Sequence, residues 1–395
     1  MKKLTTILLI CLLLISTMPV SVMASIVEPL TITAKLNAGE TERDLITVTL
    51  PETAPKGDVV FVFDSTGSMG GQIQQMAIKA DGIMADVRSD IPDTNFGVGS
   101  FVDYPHAYNS YGYSNTYGAP PDYAWKTDQD LTSVTSDVTD ALNTMHASGG
   151  ADGPQNYVRA LYESEHNFTW RADAKKIVVL FGDNVPHAQP SGTTLPAPYT
   201  LTASYGGDPG RDEVMFTADD LDFAPVVQSL ADAHISVVAV DCSSPGGDPT
   251  RAFQYEAEMT DGAYFIYSDA GVADEIVAKI NELTSAPIDT LTLNVREPAY
   301  AGWVVVTPPE YNDVAWGSTK EFNVAITPPA DTISGTYVLH LDVFGDGVLL
   351  GTTTVTKDIS GKPILTPEFP SLALPIAMII GLVFIANSVR SRKEN

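Results

Sequence analysis

Three separated stretches of this 395-residue sequence carry small oxygen ligands where an apolar run gives way to a turn. The first is "VVFVFDSTGSMGGQIQQ" at residues 59–75, in which the run ends in Asp64 and continues into Thr66 and Ser68 with Gly67 between them. One carboxylate and two hydroxyls at alternate positions of a tight turn can converge on a single point. The second is "GGADGPQ", with Asp152 and Gln155, and the third is "VVLFGDN", with Asp183 directly after an apolar run. An all-oxygen donor set suits Mg²⁺, or Ca²⁺ or Mn²⁺, and does not suit zinc. A cation held by so few protein carboxylates keeps coordination positions for water, and an incoming carboxylate can take one of them. Taken singly, Asp64 also reads as a helix N-cap, Asp152 as a turn former and Asp183 as a solvated loop acid. The three loops together favour ligation.

The elements that must position these groups lie between residues 56 and 286, where short apolar runs alternate with helical patterns. That alternation predicts a doubly wound, mostly parallel α/β sheet. Residues 59–63 read as a buried strand and 72–89 as a helix with Ile73, Met76, Ala77, Ala80, Ile83 and Met84 on its apolar face. A strand at 96–102 and helices at 131–145 and 155–166 follow, then the strand "KIVVLF" at 176–181. A helix at 221–233, the strand "ISVVAV", a helix at 251–259, the strand "AYFIY" and a helix at 272–283 complete the series. Open sheets of this kind hold ligands at the carboxyl ends of their strands, where Asp64 and Asp183 stand.

The flanks alternate with period two instead, in "LTITAKL" and "LITVTLP" before the α/β unit and "LTLNVRE", "EFNVAIT", "YVLHLDVF" and "LLGTTTVT" after it, as antiparallel sandwich strands do. Two strands cannot bury a face alone. Residues 26–51 and 288–359 are therefore expected to pair into one β-sandwich with the α/β unit inserted in it; a short N-terminal extension with a separate C-terminal sandwich is the competing arrangement. The division is then 1–24, 25–55, 56–286, 287–361 and 362–395.

Residues 1–24 read as a secretory signal peptide, with Lys2 and Lys3 before an apolar run and "VMA" before Ser25. At the other end no charge appears between Glu368 and Arg390, enough for about one bilayer crossing. Arg390, Arg392 and Lys393 then mark the cytoplasmic side. The body is thus expected outside the cell. Removing the signal takes Cys11 with it and leaves Cys242, so no intrachain disulfide can form. With 22 basic against 49 acidic residues, a formal charge of -27, nucleic acid is excluded as a partner.

The chain from residue 58 to 283 resembles a von Willebrand factor A domain, and "DSTGSM" resembles that family's metal-ion-dependent adhesion motif (MIDAS), Asp-x-Ser-x-Ser, with Thr66 at the middle position. "FGVGSFVDYP" and "GGADGPQNYVRAL" are similar to the corresponding stretches of integrin β-subunit I-like domains, which are themselves inserted in a β-sandwich. The resemblance implies that Asp64, Thr66 and Ser68 bind a metal through the first loop, Asp152 to Gln155 through the second and Asp183 through the third. It also implies cell adhesion: recognition of a carboxylate on a protein or glycan partner. Two departures stand out. Gln155 occupies the position of a Glu in the integrin β pattern, which weakens the case for a second metal beside the first. Gly70 and Gly71 stand where the family's adjacent regulatory site has acidic residues, so that site is expected to be absent.

Residues 103–128 contain six tyrosines and Trp125 among Ser, Gly, Asn and Pro, a composition that gives rigid aromatic area with adaptable hydrogen bonding. By resemblance to integrin β subunits this is a specificity-determining loop, with Tyr104, Tyr108, Tyr111, Tyr113, Tyr117 and Trp125 as a rim beside the metal. A surface loop whose tyrosines pack on one another is the alternative. The final segment resembles the archaeal PEF-type C-terminal sorting signal, with Pro367, Glu368 and Phe369 as its motif. This implies an archaeosortase-type enzyme that removes the helix and links the body to the envelope; the plain reading is a membrane anchor. No phosphate-binding loop, dinucleotide fingerprint, nucleophile elbow or His-Glu-x-x-His occurs, and no general base lies beside the motif. The expectation is a binding protein, not an enzyme, with a structural envelope protein as the runner-up.

Overall fold

The computed structural model describes residues 26–108, 117–187, 195–202 and 205–361. Strands β1 (Val27–Glu28), β2 (Thr31–Asn37) and β3 (Glu42–Thr49) precede an α/β unit made of β4 (Lys56–Asp64), α1 (Gly70–Asp90), β5 (Asp93–Phe101), β6 (Lys126–Thr132), α2 (Thr135–Thr144), α3 (Tyr157–His166), β7 (Lys175–Gly182), α4 (Phe223–Asp232), β8 (Ile235–Asp241), α5 (Asp248–Met259), β9 (Ala263–Ile266) and α6 (Val272–Ser285). Strands β10 (Ile288–Val295), β11 (Val304–Thr307), β12 (Glu310–Val314), β13 (Thr319–Ile326), β14 (Gly335–Gly345) and β15 (Val348–Ser360) follow.

The central sheet runs β6-β5-β4-β7-β8-β9, parallel except for β6. Its middle strand β4 is apolar on both faces because helices cover both, as parallel sheets require. Val59, Phe61 and Phe63 turn toward the core shared with α1 and α6, while Val60 and Val62 turn toward α3 and α4. Phe63 stacks on Phe181 of β7 with ring centroids 4.5 Å apart, which ties together the two strands that end in Asp64 and Gly182.

The sandwich has a four-stranded sheet, β1-β3-β13-β11, and a five-stranded sheet, β12-β10-β14-β15-β2. Strand β3 pairs antiparallel with β13, and β2 pairs parallel with β15. Both early strands are therefore held by strands that come after the α/β unit, which is inserted between β3 and β10. Ile46, Val48, Phe322, Val324, Leu339, Leu341 and Val355 fill the space between the sheets. At the junction the Ala54 amide donates to Thr284 O at 3.1 Å and Trp316 Nε1 donates to Ala286 O at 2.9 Å.

One element differs from its sequence reading. The helix expected at 131–145 begins at Thr135; the residues before it form edge strand β6, "KTDQDLT", antiparallel to β5. Pairing with the free edge of β5 satisfies a backbone whose polar side chains gave no strand signal. Among the described residues no helix is long and apolar enough to cross a membrane. The expected signal peptide and the apolar C-terminal segment lie outside the described residues.

Candidate functional site

Asp64 is the last residue of β4 and is fully buried. Its Oδ1 accepts from the Thr66 amide at 2.9 Å, which bends the chain back over the carboxylate. Thr66 Oγ1 and Ser68 Oγ share a hydrogen bond at 3.3 Å, so both hydroxyls converge beside it. Asp183 follows β7, the strand next to β4, and so stands at the same sheet edge as Asp64. Thr66 is nearly buried and Ser68 is exposed, so the group opens to solvent on the Ser68 side.

The second loop leans on the first. The Gly67 amide donates to Gly149 O, and the Ser148 amide donates to Ser65 O at 2.9 Å. Gly150, with φ +75°, lies so close that a Cβ there would stand 2.8 Å from Thr66 Cγ2 and 3.1 Å from Gln155 Nε2. A side chain at 150 is thus excluded both by backbone conformation and by space. Gln155 is buried; its Nε2 donates to Asp152 O at 3.1 Å, and its Oε1 has no hydrogen-bond partner.

Sequence reasoning did not find Tyr157, at the start of α3. Its hydroxyl donates to Asp64 Oδ2 at 2.5 Å and accepts from the amides of Asp183 at 3.0 Å and Asn184 at 3.2 Å. One buried hydroxyl therefore links the first and third loops. Gly182 makes room for it, since a Cβ there would lie 2.2 Å from the Tyr157 oxygen. The signal available in the sequence was a tyrosine two residues after Gln155 opening a helix next to a strand that ends in glycine.

The electrostatics fit a cation. Burial pushes the Asp64 carboxyl up to about 7, partly offset by the hydrogen bonds from Tyr157 and Thr66, and the Asp183 charge adds to the rise. Burial also raises Asp183, against the nearby Ser68 hydroxyl, with Asp241 contributing. Two carboxyls, one of them buried, thus stand at the same oxygen-rich edge. The buried, unpartnered Gln155 Oε1 is a further hard donor. Asp64, Thr66, Ser68, Asp183 and Gln155 are the residues that would hold a divalent ion.

Asp152 has a different neighbourhood. Its ligand atoms lie within 4.8 Å of those of Asp103 and His187, the one such group of three among the described residues, and they form no such group with Asp64 and Asp183. His187 is buried, with Nε2 3.2 Å from Asp103 Oδ2 and Nδ1 2.8 Å from Tyr205 O. Burial acts to lower the imidazole pKa, but the charge and hydrogen bond of Asp103 hold it above the usual histidine value. Asp103 and His187 carried no motif, being 84 residues apart in sequence.

The aromatic rim is corrected in part. Tyr104 and Tyr117 are fully buried. The Tyr104 hydroxyl donates to Asp208 Oδ1 at 2.7 Å, while that of Tyr117 donates to Gly207 O at 2.9 Å, its ring stacking on His187. Trp125 packs edge-on to Phe168 against Gly99 of β5 and donates to Thr127. These three support the loop from within, because each polar tip finds a partner inside the fold. Tyr108 is half-buried and donates to Glu213 O at 2.8 Å. Tyr111, Tyr113 and the sorting motif Pro367, Glu368 and Phe369 lie outside the described residues.

Three parts of the chain match known family models. Residues 53–197 match the model of the integrin beta chain VWA domain, residues 268–344 that of the NPCBM-associated, NEW3 domain of alpha-galactosidase, and residues 366–388 that of the PEF-CTERM archaeal protein sorting domain. Among solved structures, the von Willebrand factor type A protein from Catenulispora acidiphila is 16% identical, with a TM-score of 0.36 over 84% of this chain and 71% of that one. Proximal thread matrix protein 1 from the mussel byssus is 15% identical, with a TM-score of 0.34 over 60% of this chain and 48% of its own. No curated protein matches the chain. Residues 53–197, which open the α/β unit inserted in the β-sandwich, are thus similar to integrin β-type VWA domains, and residues 366–388 to PEF-type archaeal sorting domains.

Proposed function

We propose that this exported surface protein recognises an acidic group of a protein or glycan partner through a divalent cation, Mg²⁺ or else Ca²⁺ or Mn²⁺, held by Asp64, Thr66, Ser68, Gln155 and Asp183. The observation that carries the reading is the pairing of a buried Asp64 carboxyl with an exposed Ser68 hydroxyl at one sheet edge. Donors gathered on the protein side of the edge leave the solvent side for a ligand, which is what recognition needs and what a fully enclosed staple lacks. When bound, the cation supplies positive charge to which a partner's carboxylate can coordinate. Tyr157 orients Asp64, and the Asp64 to Thr66 hydrogen bond fixes the turn. No reaction is assigned, and the protein is read as non-enzymatic. Its attachment to the cell runs through the C-terminal segment, either as a membrane helix or after cleavage by an archaeosortase-type enzyme at Pro367–Phe369.

The test is retention of the purified chain on a carboxylate-bearing polymer or acidic peptide surface with Mg²⁺ present. Retention that EDTA reverses and that Asp64→Ala abolishes supports the reading. Retention unaffected by EDTA, or none on any acidic surface despite metal binding, overturns it and favours a structural role in which metal only stabilises loops.

A further inference from the structure

The sandwich interior holds a charged group that its packing does not call for. Lys357 lies on β15 between the inward-facing Val355 and Ile359, and its side chain is fully buried. From the opposite sheet, β3 turns Glu42 and Asp44 inward in the same alternation that buries Ile46 and Val48. Lys357 Nζ abuts Glu42 Oε2 and stands 3.5 Å from Asp44 Oδ2. The strand partners around the two acids are Ile326 and Val324, both fully buried. The two acids keep part of their surface, 25% for Glu42 and 19% for Asp44, whereas Lys357 keeps none, and an apolar residue of similar volume at 357 would fill the place without burying an amine. An amine sealed against one carboxyl, with a second acid in reach, has a reaction open to it: condensation.

We propose that Lys357 and Glu42 become joined by an intramolecular amide between Nζ and Cδ, with Asp44 carrying the proton. Across the contact the Lys357 ammonium passes one proton to the Glu42 carboxylate, and the amine so formed attacks Cδ. Asp44 takes a proton from the nitrogen and delivers it to the hydroxyl that leaves as water, so that one C–N bond forms and one C–O bond breaks. Nothing is oxidised or reduced and no co-reactant is required. Burial, reinforced by the Glu42 charge and opposed by Lys357, raises Asp44 above the usual carboxylate range, which suits a group that must both accept and return a proton.

The placement gives the bond a structural consequence. Strands β3 and β15 lie in different sheets and on either side of the inserted domain in sequence, so a 42–357 link staples the sheets and closes the chain around that domain. The sequence has only Cys11 and Cys242 and offers no disulfide for this purpose. A cross-link of this span stabilises by restricting the unfolded chain.

The experiment is tryptic digestion of the purified, denatured full chain followed by tandem mass spectrometry. Trypsin cuts after Lys35 and Arg43, so Glu42 falls in peptide 36–43 and Asp44 in the next one. The expected product is a branched species joining 36–43 to the peptide that begins at Glu321 and runs through Lys357 and the uncut Lys362-Pro363 bond to the next cleavable basic residue, Arg390, one water lighter than the two peptides, with no cleavage after Lys357. Asp44→Ala, shown by circular dichroism to be folded, should give the two linear peptides instead. Wild-type protein that yields free 36–43 and normal cleavage after Lys357 overturns the proposal, as does a link on the peptide that holds Asp44. If Asp44→Ala does not fold, the wild-type digest decides alone.

Discussion

Replacing Tyr157 by Phe removes one oxygen and leaves the ring, which packs edge-on against Phe101 at 5.0 Å and Phe253 at 5.6 Å. The hydroxyl that disappears serves three partners, of which Asp64 is buried: it donates to Asp64 Oδ2 and accepts from the amides of Asp183 and Asn184. The bond to a carboxylate is the strong one, and its loss strands a buried acceptor, so the substitution should cost about 2–3 kcal/mol. For an α/β unit of this size that is a fall in melting temperature of about 5–10 °C, measured by calorimetry on metal-free protein. Saturating Mg²⁺ should narrow the gap, because a cation gives the stranded Asp64 oxygen another partner. A melting temperature within a degree of wild type in EDTA would refute the claim that this hydroxyl ties the first loop to the third.

Three further outcomes follow from the same geometry. Gly182→Ala places a Cβ 2.2 Å from the Tyr157 oxygen, so it should destabilise by about 1–3 kcal/mol and weaken Mg²⁺ binding, readable by denaturant melts and titration. Arg171→Met leaves the fully buried Asp58 without the guanidinium at 2.8 Å and should cost about 3 kcal/mol, checked by urea unfolding; a loss below about 1 kcal/mol would contradict it. Asp64 stands at about 7 folded and near 3.8 unfolded, so the native metal-free state binds the extra proton between these values. Stability of the metal-free protein should therefore fall as pH rises from about 4 to 7, while Mg²⁺ affinity should drop as pH falls below about 7. Mg²⁺ affinity that stays flat from pH 7 to 5 would count against Asp64 as a ligand.

The parts of the fold that a sequence can announce are those with a local pattern. The two-residue periodicity of β3 and β15 and the alternation of apolar runs with helices gave the sandwich and the doubly wound sheet, and the places of Asp64, at the end of β4, and Asp183, just after β7, were legible from the apolar runs that lead into them. Strand β6 was not, because its identity comes from pairing with β5 rather than from its own polar residues. The tyrosines of the 103–128 stretch read as exposed by composition, yet Tyr104 and Tyr117 are buried by partners about a hundred residues away, at Asp208 and Gly207. Tyr157, Asp103 and His187 join the site region through the same kind of distant contact, which no spacing rule encodes. At Lys357 the alternation of β15 sets the side chain on the inward face with Val355 and Ile359, but the two carboxylates that meet it come from the opposite sheet, again a distant contact.

The cation site is the centre of the proposed recognition, and calorimetric titration of Mg²⁺ into the purified chain and its Asp64→Ala variant tests it with the fewest assumptions. Saturable binding to wild type, abolished in a variant that retains its secondary structure, is the predicted result. Equal heats from both proteins would contradict it, because the buried carboxyl at the end of β4 would then hold no metal and the recognition mechanism would lose its centre.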